Sequence, residues 1–124
     1  MMTTSSVEGG KPGMTDVRWD RAFALEQAGD DEELLQELIE LFHESSAVDA
    51  GRIRQCMEDE ALREAADAAH SIKGAAASLG IEGVRAVAAD LEQAGRLGDR
   101  VLMEELLGRL DAALGEFRSV TVPG

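Results

Sequence analysis

The sequence predicts an all-α protein, an antiparallel up-down-up-down four-helix bundle with a short preceding N-terminal helix. Three observations lead there. Alanine and leucine dominate the apolar residues and β-branched residues are sparse, a composition of strong helix formers. Apolar residues recur at three- and four-residue steps through most of the chain and never alternate as strands do. The periodic stretches are separated by short breaks at Gly29, Gly80 and Gly98, and short connections favour antiparallel neighbours.

Each element follows from its own residues. Residues 1–16 (MMTTSSVEGGKPGMTD) are rich in Ser, Thr and Gly without a period, and read as a disordered lead or linker. Residues 17–120 form the bundle, and 121–124 a tail. Trp19 to Ala28 is a short amphipathic piece with Trp19, Ala22 and Phe23 on one side, stopped at Gly29. Asp30 to about Asp59 is a long helix that Asp30 and Asp31 can cap, with Glu32 and Glu33 at the positive end of its dipole. Its apolar face combines a Leu34–Leu38–Leu41–Val48 stripe with a Leu35–Ile39–Phe42–Ile53–Cys56 stripe, and Gly51 marks a weak point inside it. Glu60 to about Leu79 follows, with Leu62, Ala65, Ala69, Ile72, Ala76 and Leu79 as its core stripe, ended by Gly80. Glu82 to about Leu97 carries Val84, Val87, Leu91 and Ala94 inward; the last helix, about Asp99 to Val120, carries Leu102, Leu106, Leu110, Ala113 and Phe117.

Bulk properties exclude several function classes. A chain of 124 residues is the size of one domain. With 12 Lys+Arg against 25 Asp+Glu, the net charge of −13 repels phosphate backbones and anionic headgroups, so neither nucleic acid nor a membrane surface is expected as partner. No apolar stretch approaches the ~18 residues of a membrane span, and the N-terminus lacks the basic and apolar regions of a secretory signal. A cytoplasmic protein is expected. The single Cys56 excludes an internal disulfide. The acidic run from Asp30 to Glu40 lacks calcium-loop spacing and reads as a solvated helix start, so no metal site is expected. Nor is there a Gly-rich phosphate loop on a strand–turn–helix unit, so no bound cofactor and no autokinase activity are expected.

Chemistry concentrates in Ala69-His70-Ser71-Ile72-Lys73-Gly74 and its continuation to Gly80. At ~100° per residue, Lys73 and Gly74 share the His70 face one turn on, Ala77 lies a turn further, and Asp67 and Ala66 a turn back. The core stripe points elsewhere, so His70 is expected to be exposed among small neighbours. A neutral imidazole is a nucleophile, and the Lys73 ammonium disfavours its protonation and attracts a phosphoryl group. Gly74 and Ala77 clear space for another protein. In a hairpin turning near Ile81, His70 faces Glu92, Ala66 faces Arg96, Gly74 faces Ala88 and Ala77 faces Arg85. Either Glu92 or Asp67 could hold the unreacted ring nitrogen, and Glu92 and Arg96 are spaced to pair along their own helix. The other histidine, His43, stands beside core residue Phe42 and reads as structural or merely exposed.

These residues resemble the signature of the histidine-containing phosphotransfer (HPt) domains of multistep phosphorelays: Ala69-His70-Ser71-Ile72-Lys73-Gly74, then Ala77, Leu79 and Gly80, then Leu91-Glu92 and Arg96. Looser similarity spans about residues 17–120, and Ile72 stands where the family more usually has Leu. The resemblance implies that His70 is phosphorylated through Nε2, that Lys73 assists the phosphoryl group, that Gly74 permits partner approach and that Glu92 sits near the histidine. It further implies docking of response-regulator receiver domains, which bring the aspartate and the Mg2+, and supply by a sensor or hybrid histidine kinase.

The expected function is therefore a phosphorelay intermediate, a phosphotransfer protein and not an enzyme with autokinase activity. It would accept a phosphoryl group on His70 from a receiver aspartate or a histidine kinase and pass it to another receiver. The alternatives are a helical module that binds receivers or a kinase without phosphate transfer, and the substrate domain of a larger histidine kinase. A metal- or cofactor-binding bundle enzyme would need paired Glu-x-x-His ligands that the sequence lacks.

Overall fold

The computed structural model describes residues 17–121, so the expected lead over 1–16 and the end of the expected tail lie outside the described residues. The described chain is all-helical, with five helices: α1 (Arg21–Gln27), α2 (Glu32–Glu58), α3 (Leu62–Ser78), α4 (Glu82–Leu97) and α5 (Arg100–Thr121). α4 packs on both α3 and α5, while α2 packs on α3 and more lightly on α5, closing one shared core.

The helix ends obey local chemistry. Asp20 caps α1 by accepting from the Phe23 amide at 3.1 Å. Asp31 alone caps α2, its Oδ1 accepting from the Glu33 and Leu34 amides at 2.9 and 3.1 Å. Asp30, also expected to cap, instead takes a left-handed φ of 62° that turns the chain into the helix. Glu60 does the same at φ 60° between α2 and α3, which is why α3 starts at Leu62 and not at Glu60. Gly51 causes no interruption, and α2 runs through it. The Asp99 side chain accepts from the Leu102 amide at 3.1 Å where α5 begins, and that helix extends to Thr121.

Three expectations about faces are corrected. Of the predicted α2 face, Leu35, Ile39, Phe42 and Ile53 are buried, whereas Leu34, Leu41 and Val48 are 41%, 59% and 64% exposed. The first row turns toward α3 and α5; no described element covers the second. On α1 the inward residues are Ala24 and Ala28, while Ala22 and Phe23 are exposed, and on α5 Leu102 is exposed where Met103 is buried.

Trp19 precedes α1 and does not belong to it. It bridges Ile81 in antiparallel fashion, its indole Nε1–H donates to the Leu79 carbonyl at 2.9 Å, and its ring meets Phe117 edge-on at 5.0 Å. The segment before α1 thereby fastens the α3–α4 turn to the core.

α3 and α4 approach closely at Gly95. A Cβ there would lie 2.8 Å from the Ala66 Cβ and 2.9 Å from the Leu62 carbonyl oxygen. Neither neighbour is a flexible side-chain end, so the helices would have to separate. We expect Gly95→Ala to lose roughly 1–2 kcal/mol, overpacking outweighing the ~1 kcal/mol gained in helix propensity. Gly51→Ala, whose Cβ meets nothing within 4 Å, should gain stability instead. Urea midpoints of the two variants check this; a rise for both would refute the tight crossing.

His43 proves to be structural. It is only 9% exposed, packed against Phe42 and Phe117, with Nε2 at 2.8 Å from Thr121 Oγ1. The Thr121 hydroxyl donates to the Phe117 carbonyl at 2.7 Å, so it accepts from His43, whose proton sits on Nε2. Burial first, then the nearby Arg118, pushes this imidazole below its ordinary value, with Glu40 opposing. A depressed folded-state value means that the unfolded chain binds the proton more readily, so stability falls as pH drops below about 6.5. His43→Gln should flatten that slope in urea midpoints taken from pH 8 to 5, and an unchanged slope would assign the acid sensitivity elsewhere.

Candidate functional site

α3 owes its position to its alanines. Ala65, Ala68, Ala69, Ile72 and Ala76 are buried, and this row of small side chains lets α2 and α4 come close on either side. The opposite face of α3 is left free and carries Asp67, His70, Gly74 and Ala77, all exposed. The His70 side chain is 61% exposed.

Across the α3–α4 contact, Glu92 is the meeting point. Its side chain is only 16% exposed, and its two oxygens serve three donors. Oε1 is 2.8 Å from Lys73 Nζ; Oε2 is 3.1 Å from His70 Nδ1 and 3.3 Å from Arg96 Nη2. Arg96 extends its other nitrogen to Asp67, with Nη1 at 2.8 Å from Oδ1. The hydrogen bond from Lys73 above all, then that from Arg96, holds the Glu92 carboxyl below the usual carboxylate range, against the opposing pull of its partial burial. Asp67 first, and then Glu92, holds Arg96 in its charged form.

The ionised carboxylate can only accept, so His70 Nδ1 carries the ring proton in this arrangement. In the neutral ring the lone pair then falls on Nε2, on a side chain that is 61% exposed. An imidazole so oriented is a nucleophile fixed in one tautomer, with an ammonium one turn away.

The structure separates the two candidates for orienting His70. Glu92 holds the ring, and Asp67 pairs with Arg96. Lys73 joins the cluster through Glu92, a partner its place on the His70 face does not predict. Arg96 pairs with Glu92 along α4, but opposite it stands Asp67, while Ala66 meets Gly95. Arg85, expected to face Ala77, pairs with Glu82 one turn back on its own helix. Gly95 escaped the sequence reading, although the argument that a helix-interior glycine needs a reason applies to it as it does to Gly74.

Gly74 has no such reason inside the molecule, since a Cβ there would meet nothing within 4 Å. Two hollows flank this strip of α3. One, of about 370 Å³, is lined by Lys73, Ala89, Glu92, Gln93, Arg96 and Leu97. The other, of about 420 Å³, lies toward α2 and is more apolar, lined by Leu38, Leu41, Phe42, Ala75, Ser78 and Leu79 among others. A larger hollow of about 690 Å³ lies between α2 and α5 around Glu40, His43 and Arg118, and none of the site residues lines it. Among the described residues no group of three or more His, Cys, Asp or Glu side chains is placed to hold a metal ion, and no helix is long and apolar enough to cross a membrane.

Gly74→Ala should stabilise the isolated protein by about 0.5–1 kcal/mol, because it reduces unfolded-state freedom and strikes nothing. Thermal unfolding without partners measures it; a loss would mean that the glycine serves the fold itself.

Residues 37–120, well over half of the chain, match the family model described as Hpt domain. No curated protein and no solved structure matches the chain.

Proposed function

Since the chain belongs to the Hpt domain family, we propose that His70 accepts a phosphoryl group at Nε2 from a receiver-domain aspartate or a histidine kinase and passes it to another receiver. Histidine phosphotransfer in phosphorelays is the business of this family. The observation that carries the assignment to His70 is its geometry. The ring is 61% exposed, and its Nδ1 is committed to Glu92 at 3.1 Å, leaving Nε2 open to solvent. His43, the other histidine, is buried with its Nε2 bonded to Thr121 and offers no such nitrogen.

In the proposed step the bond between phosphorus and the aspartyl oxygen breaks as one forms to Nε2, and the carboxylate leaves on the receiver. Lys73, at 2.8 Å from Glu92, is near enough to His70 to turn its ammonium toward the arriving phosphoryl oxygens. Glu92 keeps the Nδ1 proton and balances the positive charge that the ring acquires. The receiver brings the aspartate and the Mg2+, and this chain binds no cofactor of its own. It has no autokinase activity, so ATP alone leaves it unlabelled.

We read the four long helices as an antiparallel up-down-up-down bundle. Contacting pairs run in opposite order along neighbouring helices: Asp67 with Arg96 and His70 with Glu92 for α3 and α4, His43 with Thr121 and Arg54 with Asp111 for α2 and α5. The receiver docks over the open strip at Gly74 and Ala77, and exposed Leu41 beside the apolar hollow adds contact area.

The deciding measurement is transfer from a labelled phosphorylated receiver to wild type and His70→Gln side by side. Acid-labile, alkali-stable label on the wild type alone is expected. Receivers that bind yet label neither protein would overturn phosphotransfer and leave a receiver-binding module.

A further inference from the structure

Arg96 touches both acidic side chains that flank His70. Its Nη1 lies 2.8 Å from Asp67 Oδ1, and its Nη2 lies 3.3 Å from Glu92 Oε2. That second contact falls on the oxygen that also receives His70 Nδ1, at 3.1 Å, while Lys73 occupies the other oxygen at 2.8 Å. We infer that Arg96 is a positioning residue for His70: anchored across the helix contact by Asp67, it shares the Glu92 oxygen with the imidazole and thereby limits how strongly Glu92 draws a second proton onto the ring. This rests on the reading of His70 as the phosphoryl acceptor, and it concerns how that nitrogen is kept available.

The argument is one of competition for a single acceptor. A carboxylate oxygen serving two donors gives each less than it would give one. Were Oε2 left to His70 alone, its full charge would favour the doubly protonated ring, which has no lone pair on Nε2. The guanidinium is suited to prevent this. Its planar fork lets one nitrogen stay on Asp67 while the other reaches Glu92, and its charge persists at every working pH. Asp67 matters because it stops Arg96 from turning both nitrogens onto Glu92, which would leave His70 without its hydrogen bond. The Asp67–Arg96 pair, with side chains 61% and 40% exposed, adds little stability, so its placement is better explained by what it does to Glu92 and the ring.

The test uses the full chain without any protein partner. The pH midpoint of the His70 ring signals is followed by NMR in wild type, Arg96→Gln, Arg96→Lys and Glu92→Gln, and in the double variant of Arg96→Gln with Glu92→Gln. Labelling by phosphoramidate, a small donor that phosphorylates neutral imidazole, is timed at pH 7 for the same proteins. Arg96→Gln should move the midpoint upward and slow labelling several-fold at pH 7, with the rate recovering at higher pH, and Arg96→Lys should restore part of both. In the Glu92→Gln background the Arg96 substitution should shift the midpoint much less, because the shared charge is gone. An equal shift with and without Glu92 would overturn the inference, leaving only the through-space effect of a cation. No shift in Arg96→Gln, with wild-type thermal unfolding, would overturn it as well. Receiver transfer does not enter these readouts, so the labelled-receiver experiment can fail while this one succeeds, and the reverse.

Discussion

The close approach of α3 and α4 at Ala66 and Gly95 is the constraint on which the rest of the site depends. With no Cβ on Gly95, α4 settles against α3 until the Leu62 carbonyl and the Ala66 methyl limit it. At the adjoining residues that spacing brings Arg96 within hydrogen-bond reach of Asp67, and one turn along it brings Glu92 to His70 and Lys73. The hydrogen bond that sets the histidine's tautomer thus depends on helix packing one turn away.

The packing is rigid where the chemistry needs to be fixed and open where a partner must come. Alanines fill the buried side of α3, and Trp19 and Phe117 lock the end of the bundle where α3 turns into α4. On the exposed side, Gly74 gives up helix propensity with no contact in return. Stability and access therefore make opposite demands on neighbouring faces of one helix, and the sequence answers them with alanine inside and glycine outside.

Charge is distributed with the same economy. In a chain of net charge −13, Lys73 and Arg96 are concentrated around one carboxylate, where they keep Glu92 ionised and bonded. The Hpt family assignment tells what kind of reaction to expect; this local cluster tells how one particular imidazole is oriented and left approachable. The exposed Leu34, Leu41 and Val48 row on α2 adds apolar surface that the bundle itself leaves unused.

Periodicity and turn residues were enough to determine the all-helical class, the five helices in order and, within a residue or two, their ends, because these depend on interactions between residues close in the chain. The motif around His70 was equally legible, since residues three and four apart on a helix share a face whatever surrounds it. Tertiary structure decided the rest. Which of two adjoining apolar stripes on α2 is covered depends on where α3 and α5 lie, and Leu41 and Phe42 are too alike in character for sequence to separate. Whether Glu92 or Asp67 takes the ring nitrogen depends on how α4 is rotated and how near it comes, which Gly95 fixes from the far side of the contact. The left-handed turn at Glu60 likewise follows from the helices it must join, since glutamate, unlike Asp30 with its similar φ, has no preference for that region.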